Sequence, residues 1–147
     1  MRTLHTEIGI MAPAERVWNV LIDTDRWAEW NPFARMTGRV AAGERIAVIL
    51  TPPGKSAMTL KPTIVKLEPG REFRWLGHLG MRGIFDGEHG FRITPEDTGR
   101  CRFEHFETFT GILSTPVMWI VGKATREGFE AMNRALKQRA EAGLSAA

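Results

Sequence analysis

At 147 residues, 43% of them hydrophobic and 25% charged, the chain has the size and composition of one globular domain, residues 1–147, which excludes a disordered or fibrous protein. Twenty Lys and Arg are scattered among seventeen Asp and Glu, so the formal charge of +3 comes without a basic block and nucleic acid is not an expected partner. Cys101 is the only cysteine, which excludes an intrachain disulfide and a multi-cysteine zinc site.

The opening stretch MRTLHTEIGIMAP lacks the apolar core of a signal peptide, and no apolar run reaches the roughly 18 residues that span a bilayer. A cytoplasmic protein without integral membrane contact is expected. From Thr3 to Met11, Leu4, Thr6, Ile8 and Ile10 alternate with His5, Glu7 and Gly9, the period of a half-buried strand. Ala12-Pro13 breaks the alternation, and Pro13 suits a first helical position, where its missing N–H has no partner anyway. Val17, Trp18, Val20 and Leu21 follow at helical spacing. Asp23 or Thr24 caps a second short helix that carries Trp27 and Trp30 on one face, and Pro32 stops it.

From Ala34 to Gly111, extended runs punctuated by turn residues predict an antiparallel meander, with strands near 34–41, 45–51, 57–67, 71–79, 84–93 and 100–110. Pro62 makes the third of these a bulged or edge strand. Ser114-Thr115-Pro116 then opens one long helix that runs to about Ala142. Val117, Val121, Ala124, Gly128, Met132, Ala135 and Leu136 form its apolar stripe. Its first turns, Val117 to Val121, are apolar nearly all round, more than packing on one sheet requires, which points to burial by loops, to an opening, or to a partner contact. Strands closed by a terminal helix belong to the α+β class.

Several segments in this order resemble one superfamily. They are Ile10 to Trp18 (IMAPAERVW), Trp27 to Pro32 (WAEWNP), Leu67 to Trp75 (LEPGREFRW), Glu88 to Phe91 (EHGF) and Glu107 to Gly111 (ETFTG). Together they resemble the START and birch-pollen-allergen-like superfamily, and within it the polyketide cyclase and dehydrase group. The resemblance implies a helix-grip fold: a seven-stranded antiparallel sheet wrapped around the C-terminal helix, two short helices after the first strand, and a cavity between sheet and helix. It implies a small hydrophobic ligand but no particular activity, because the superfamily hosts carriers, receptors and enzymes alike.

The late strands place one polar group among aromatics. Phe103, His105, Glu107 and Phe109 share a face, as do Phe85, His89, Phe91 and Ile93, and the phenylalanines turn both faces inward. A turn centred near Asp97 sets His89 against His105 and Gly87 against Glu107, within reach of one another. Three arrangements fit: a satisfied buried network, a ligand-orienting or acid/base site using His89, His105 and Glu107, and, least favoured, a metal held by two histidines and a carboxylate. Candidates for the apolar lining are Trp30, Phe73, Trp75, Phe85 and Phe91, then Phe103, Phe109, Val121 and Met132.

The expected function is binding or carriage of a small hydrophobic or aromatic ligand, without cofactor or metal. The alternative is a cyclase or dehydratase-like enzyme acting through the same three polar residues. A third is an interaction module at Met118 and Trp119, and a homodimer is compatible with the sequence.

Overall fold

The computed structural model describes residues 1–143. Its strands are β1 (Arg2–Ile10), β2 (Ala34–Thr37), β3 (Ala47–Leu50), β4 (Met58–Leu60), β5 (Thr63–Glu68), β6 (Glu72–His78), β7 (Asp86–Asp97) and β8 (Arg100–Thr110). Helix α1 (Ala14–Ile22) and the single turn α2 (Trp27–Trp30) follow β1, with a 3-10 turn at Thr24–Arg26 between them, and α3 (Ser114–Glu141) closes the domain. The class is α+β, as expected.

The sheet is not seven-stranded. Five strands form one antiparallel sheet in the order β1-β8-β7-β6-β5, and β2-β3-β4 form a second of three. Pro62 is the physical reason: without an N–H it cannot donate to a ladder, so the expected strand 57–67 divides into β4 and β5 on either side of Lys61-Pro62. The two sheets stay stitched at the break by Ile46 N–H to Pro62 O (2.9 Å) and Ile64 N–H to Glu44 O (2.8 Å).

Helix α3 packs along β1 and β8, and α1 packs against α3 and β7. The expected stripe on α3 is partly revised. Gly128, Met132 and Leu136 are buried, but so are Met118, Phe129, Asn133 and Ala140, while Val117 is half-buried. Trp27 is fully buried and its indole N–H donates to Leu21 O (2.8 Å), which satisfies the one polar atom it carries inside. Arg16 of α1 donates to the carbonyl oxygens of Ala140 and Ala142, two acceptors that the end of α3 leaves without helical partners.

The outer face of the large sheet is closed as well. Phe106 points outward there and lies under the guanidinium groups of Arg74 (5.1 Å) and Arg92 (4.9 Å), which in turn pair with the buried Glu72. No helix among the described residues is long and apolar enough to cross a membrane.

Candidate functional site

The inner face of the large sheet carries Phe73 and Trp75 from β6, His89, Phe91 and Ile93 from β7, and Phe103, His105, Glu107 and Phe109 from β8, all buried. The register differs from the expected one by two residues. His89 lies opposite Glu107, Phe91 opposite His105, and Gly87 opposite Phe109. The chain runs on as strand through Pro95, where the register shifts, and turns only at Thr98-Gly99, with Asp97 accepting the Gly99 N–H (2.8 Å). A slip of two preserves the alternation of faces, so the three polar side chains still point inward.

They join a longer chain of hydrogen bonds. Glu107 Oε1 lies 3.2 Å from His89 Nδ1, His89 Nε2 lies 2.7 Å from His105 Nε2, and His105 Nδ1 lies 3.0 Å from Asn133 Oδ1. The Asn133 amide donates to Thr6 Oγ1 (2.9 Å), and the Thr6 hydroxyl donates to the carbonyl of His105 (2.9 Å). Strand β1 supplies Thr6 directly opposite His105, and α3 supplies Asn133.

This closed end fixes the direction of every bond. Because the Thr6 hydroxyl spends its proton on the carbonyl, it accepts from the Asn133 amide, which turns the Asn133 oxygen toward His105. His105 therefore carries its proton on Nδ1, and its Nε2 accepts from His89 Nε2–H. His89 Nδ1 is thereby left facing Glu107 Oε1 at the end of the chain. Complete burial, and then the neighbouring His89, hold His105 well below the ordinary histidine range, against the opposing pull of Asn133. Its ring is stacked on Phe129 at 3.9 Å and 9°, and Trp75 stacks on His89 at 4.6 Å.

Glu107 is where this chain meets open space. An apolar cleft of about 70 Å³ lies between the two sheets and the start of α3. Leu50, Met58 and Leu60 line it from the small sheet, Trp75 and Phe109 from the large one, Phe85 from the loop between β6 and β7, and Met118 and Val121 from α3, with Glu107 among them. Gly87 makes room for the carboxylate, since a Cβ at that position would sit 2.2 Å from Glu107 Oε2. Gly87→Ala is accordingly expected to displace only the flexible end of Glu107. Urea unfolding should change by about 1 kcal/mol or less, while a ligand that touches the carboxylate binds more weakly; equal losses in both would show that the glycine serves the fold instead.

Of the residues singled out in the sequence, Trp75, Phe85, Glu107, Phe109 and Val121 line the cleft. His89 and His105 lie buried behind Glu107, and Phe73, Phe91, Phe103 and Met132 are fully buried core. Trp30 lies elsewhere, on a charged surface groove of about 480 Å³ beside α1. Of the charges around that groove, Arg139 pairs with Glu29 and Arg26 with Asp23. Thr6 and Asn133 escaped the sequence reading; a lone Asn on the buried face of a helix is the signal that could have found them.

For a metal, both ring nitrogens of His89 are committed within the chain, so its lone pairs share no open point with His105 and Glu107. The ligating atoms of His5, Glu7 and Glu104 lie within 4.8 Å of one another on the outer face, but Arg102 stands 3.7 Å from Glu7 and Arg92 3.5 Å from Glu104, and these supply the countercharge. Burial, helped by Glu96, pushes the Cys101 thiol up to about 11, which leaves it without thiolate character near neutral pH.

An antiparallel sheet closed on a long C-terminal helix, with an apolar cleft and a buried polar group between them, defines the helix-grip class. The chain belongs to the family described as polyketide cyclase / dehydrase and lipid transport, whose model matches residues 1–141, and so to the START and birch-pollen-allergen-like superfamily. Among solved structures it is similar to the Zhui aromatase/cyclase of Streptomyces sp. R1128, with a TM-score of 0.79 at 17% identity over 99% of this chain and 96% of that one. A point mutant of norcoclaurine synthase from Thalictrum flavum, in complex with a transition-state analogue, gives 0.74 at 15% identity over 98% and 96%. A protein of Thermus thermophilus gives 0.74 at 20% identity over 98% and 100%. At these identities the likeness is one of fold. No curated protein matches the sequence.

Proposed function

We propose that the protein binds a small hydrophobic or aromatic molecule in the cleft between its two sheets and α3, with Glu107 holding a hydroxyl or amine of that molecule at the inner end. One observation carries this reading: a carboxylate 8% exposed, with Oε1 on His89 and Oε2 beside Gly87, ends a mainly apolar cleft whose other polar side chains are His78 and Thr125. A buried carboxylate costs several kcal/mol unless it is bonded, and His89 serves one oxygen only, so a ligand donor completes its shell. The cleft is far smaller than the roughly 300–1,000 Å³ of drug-sized sites, so a ligand enters by parting the long side chains of Met58, Leu79 and Met118 at its mouth.

The hydrogen-bond chain favours orientation over proton shuttling. It ends on the carbonyl of His105 and passes no proton to solvent; its work is to hold Glu107 and His89 in one geometry. A second reading rests on the contact between Glu107 and His89 at the wall of the cleft, two groups that can pass one proton between them. Delivered to a bound carbonyl or leaving hydroxyl, it would serve a cyclisation or dehydration, as the family description allows.

Titration with 2-naphthol and with naphthalene separates these possibilities. The parent protein should bind 2-naphthol the more tightly, and Glu107→Gln should remove that preference, lowering its affinity about ten-fold. Equal affinity for the two compounds in the parent protein would overturn the assignment of Glu107. The enzyme reading instead requires turnover that falls about 10²-fold or more in Glu107→Gln with binding retained.

A further inference from the structure

The mouth of the cleft is ringed by three segments, 51–61, 79–85 and 111–126, which contribute Met58, Leu79 and Met118 to its lining. Their outward side chains are unusual. Met81 is 73% exposed, Ile112 82%, Trp119 79% and Ile120 73%, with Leu113 beside them at 44%. Side chains of this size scattered singly need no explanation, but these are gathered on adjoining turns. The Ile112 N–H donates to Gly83 O (3.1 Å) and the Leu113 N–H to Ile84 O (2.9 Å), which clips the β6–β7 loop to the start of α3. Gly111 permits this contact: its φ is +106°, and a Cβ there would lie 2.4 Å from Ile84 O.

The charge of the same segments is one-sided. They hold Lys55, Lys61, Arg82, Lys123 and Arg126, all exposed, and not one Asp or Glu, leaving fifteen basic against seventeen acidic residues for the rest of the chain. Lys123 and Arg126 also line, with Arg2, a groove next to the mouth that shares Met118 with the cleft.

We infer that this face docks on an anionic lipid surface, Met81, Ile112, Trp119 and Ile120 entering the acyl boundary while the five basic residues meet the headgroup phosphates. Apolar side chains flanked by Lys and Arg, with a Trp at the boundary, are what an interfacial contact requires. A fluid bilayer accepts free-standing side chains without matching pockets. A second copy of the chain is the poorer occupant, because face-to-face pairing would oppose five cations to five, with Glu127, one turn beyond Lys123, the nearest acid on α3. The inference goes beyond the ligand reading, since docking does not depend on what the cleft holds.

Co-sedimentation of the whole protein with vesicles of phosphatidylglycerol and phosphatidylcholine, against phosphatidylcholine alone, tests it. The protein should pellet with the anionic vesicles only, and less so as salt is raised. The double variant Trp119→Ser/Ile120→Ser should bind about ten-fold more weakly or worse, and in Arg82→Gln/Lys123→Gln each lost charge should cost about five-fold. Glu107→Gln should pellet as the parent does, so that a failure of the ligand site and a failure of docking are read separately. Folded protein that ignores both vesicles overturns the inference, as does pelleting indifferent to both double variants. A dimer seen by light scattering, abolished by Trp119→Ser/Ile120→Ser in protein that binds no vesicle, overturns it in favour of a second copy.

Discussion

Phe129→Ala is expected to destabilise the protein by about 3–5 kcal/mol. Phe129 is fully buried on α3, lies flat on the His105 ring at 3.9 Å, packs edge-on against Phe33 at 5.6 Å and approaches His89 at 5.0 Å. Removing the ring costs the transfer of its apolar surface and leaves a void that the strands can close only by giving up their register. It also uncovers the flat side of His105. Urea unfolding should show a lower midpoint with the slope preserved, because the surface exposed on unfolding hardly changes. Phe129→Leu fills most of the space and should cost much less, about 1 kcal/mol. A Phe129→Ala protein within about 1 kcal/mol of the parent would show that α3 settles onto the sheet without this ring, and that the histidine pair needs no such cover.

The architecture was legible because its signals are local. Alternation marked β1, β7 and β8, flanking turn residues marked β6, and an uninterrupted run after Pro116 marked α3. The division into two sheets was half legible. Pro62 was visible as an obstacle to pairing, but whether a strand bulges around a proline or parts at it depends on what else can hold the backbone. Here Glu44 and Ile46 supply that hold across the gap. The parting matters to the site, since the cleft lies where β3 and β4 separate from the large sheet.

The polar group was legible in its members and not in its pairing. The parity of phenylalanines placed His89, His105 and Glu107 on the inner face, and parity survives an error of two residues. Register itself is set by the turn, and the strand ran through Pro95, a residue that sequence reading takes as a stop. Thr6 and Asn133 stand 127 positions apart and meet only because β1 and α3 flank β8, so no local pattern joins them to the histidines. The same limit explains Trp30. Its three-residue spacing from Trp27 suggested one shared apolar face, yet a helix of a single turn buries Trp27 and leaves Trp30 against charged neighbours.

Acid should unfold this protein through His105. In the fold the imidazole is neutral, completely buried, and holds its Nδ1 proton on Asn133, so taking up a second proton would mean breaking the bond from His89. The unfolded chain meets no such obstacle and binds that proton near pH 6.5. Below about pH 6.5 the unfolded state therefore carries the extra proton and the native state does not, so stability is whole above that pH and falls beneath it, by about 1.4 kcal/mol per unit. Between pH 7 and pH 5 the loss amounts to about 2 kcal/mol. The shifted carboxylates act in another window. Asp86 is lowered by its hydrogen bond to His78, and Glu72, though burial opposes it, is lowered by Arg74 and Arg92, so both lose their contribution only as pH falls beneath the ordinary carboxylate range. Urea midpoints at half-unit steps from pH 8 to pH 5 measure the slope. His105→Phe should be less stable throughout, since it strands the Asn133 oxygen and the His89 N–H, but the segment between pH 6.5 and pH 5 should flatten. A parent protein equally stable at pH 7 and pH 5, or a variant that keeps the parent slope, would place the proton uptake elsewhere and remove the basis for treating the chain from Thr6 to Glu107 as one locked unit.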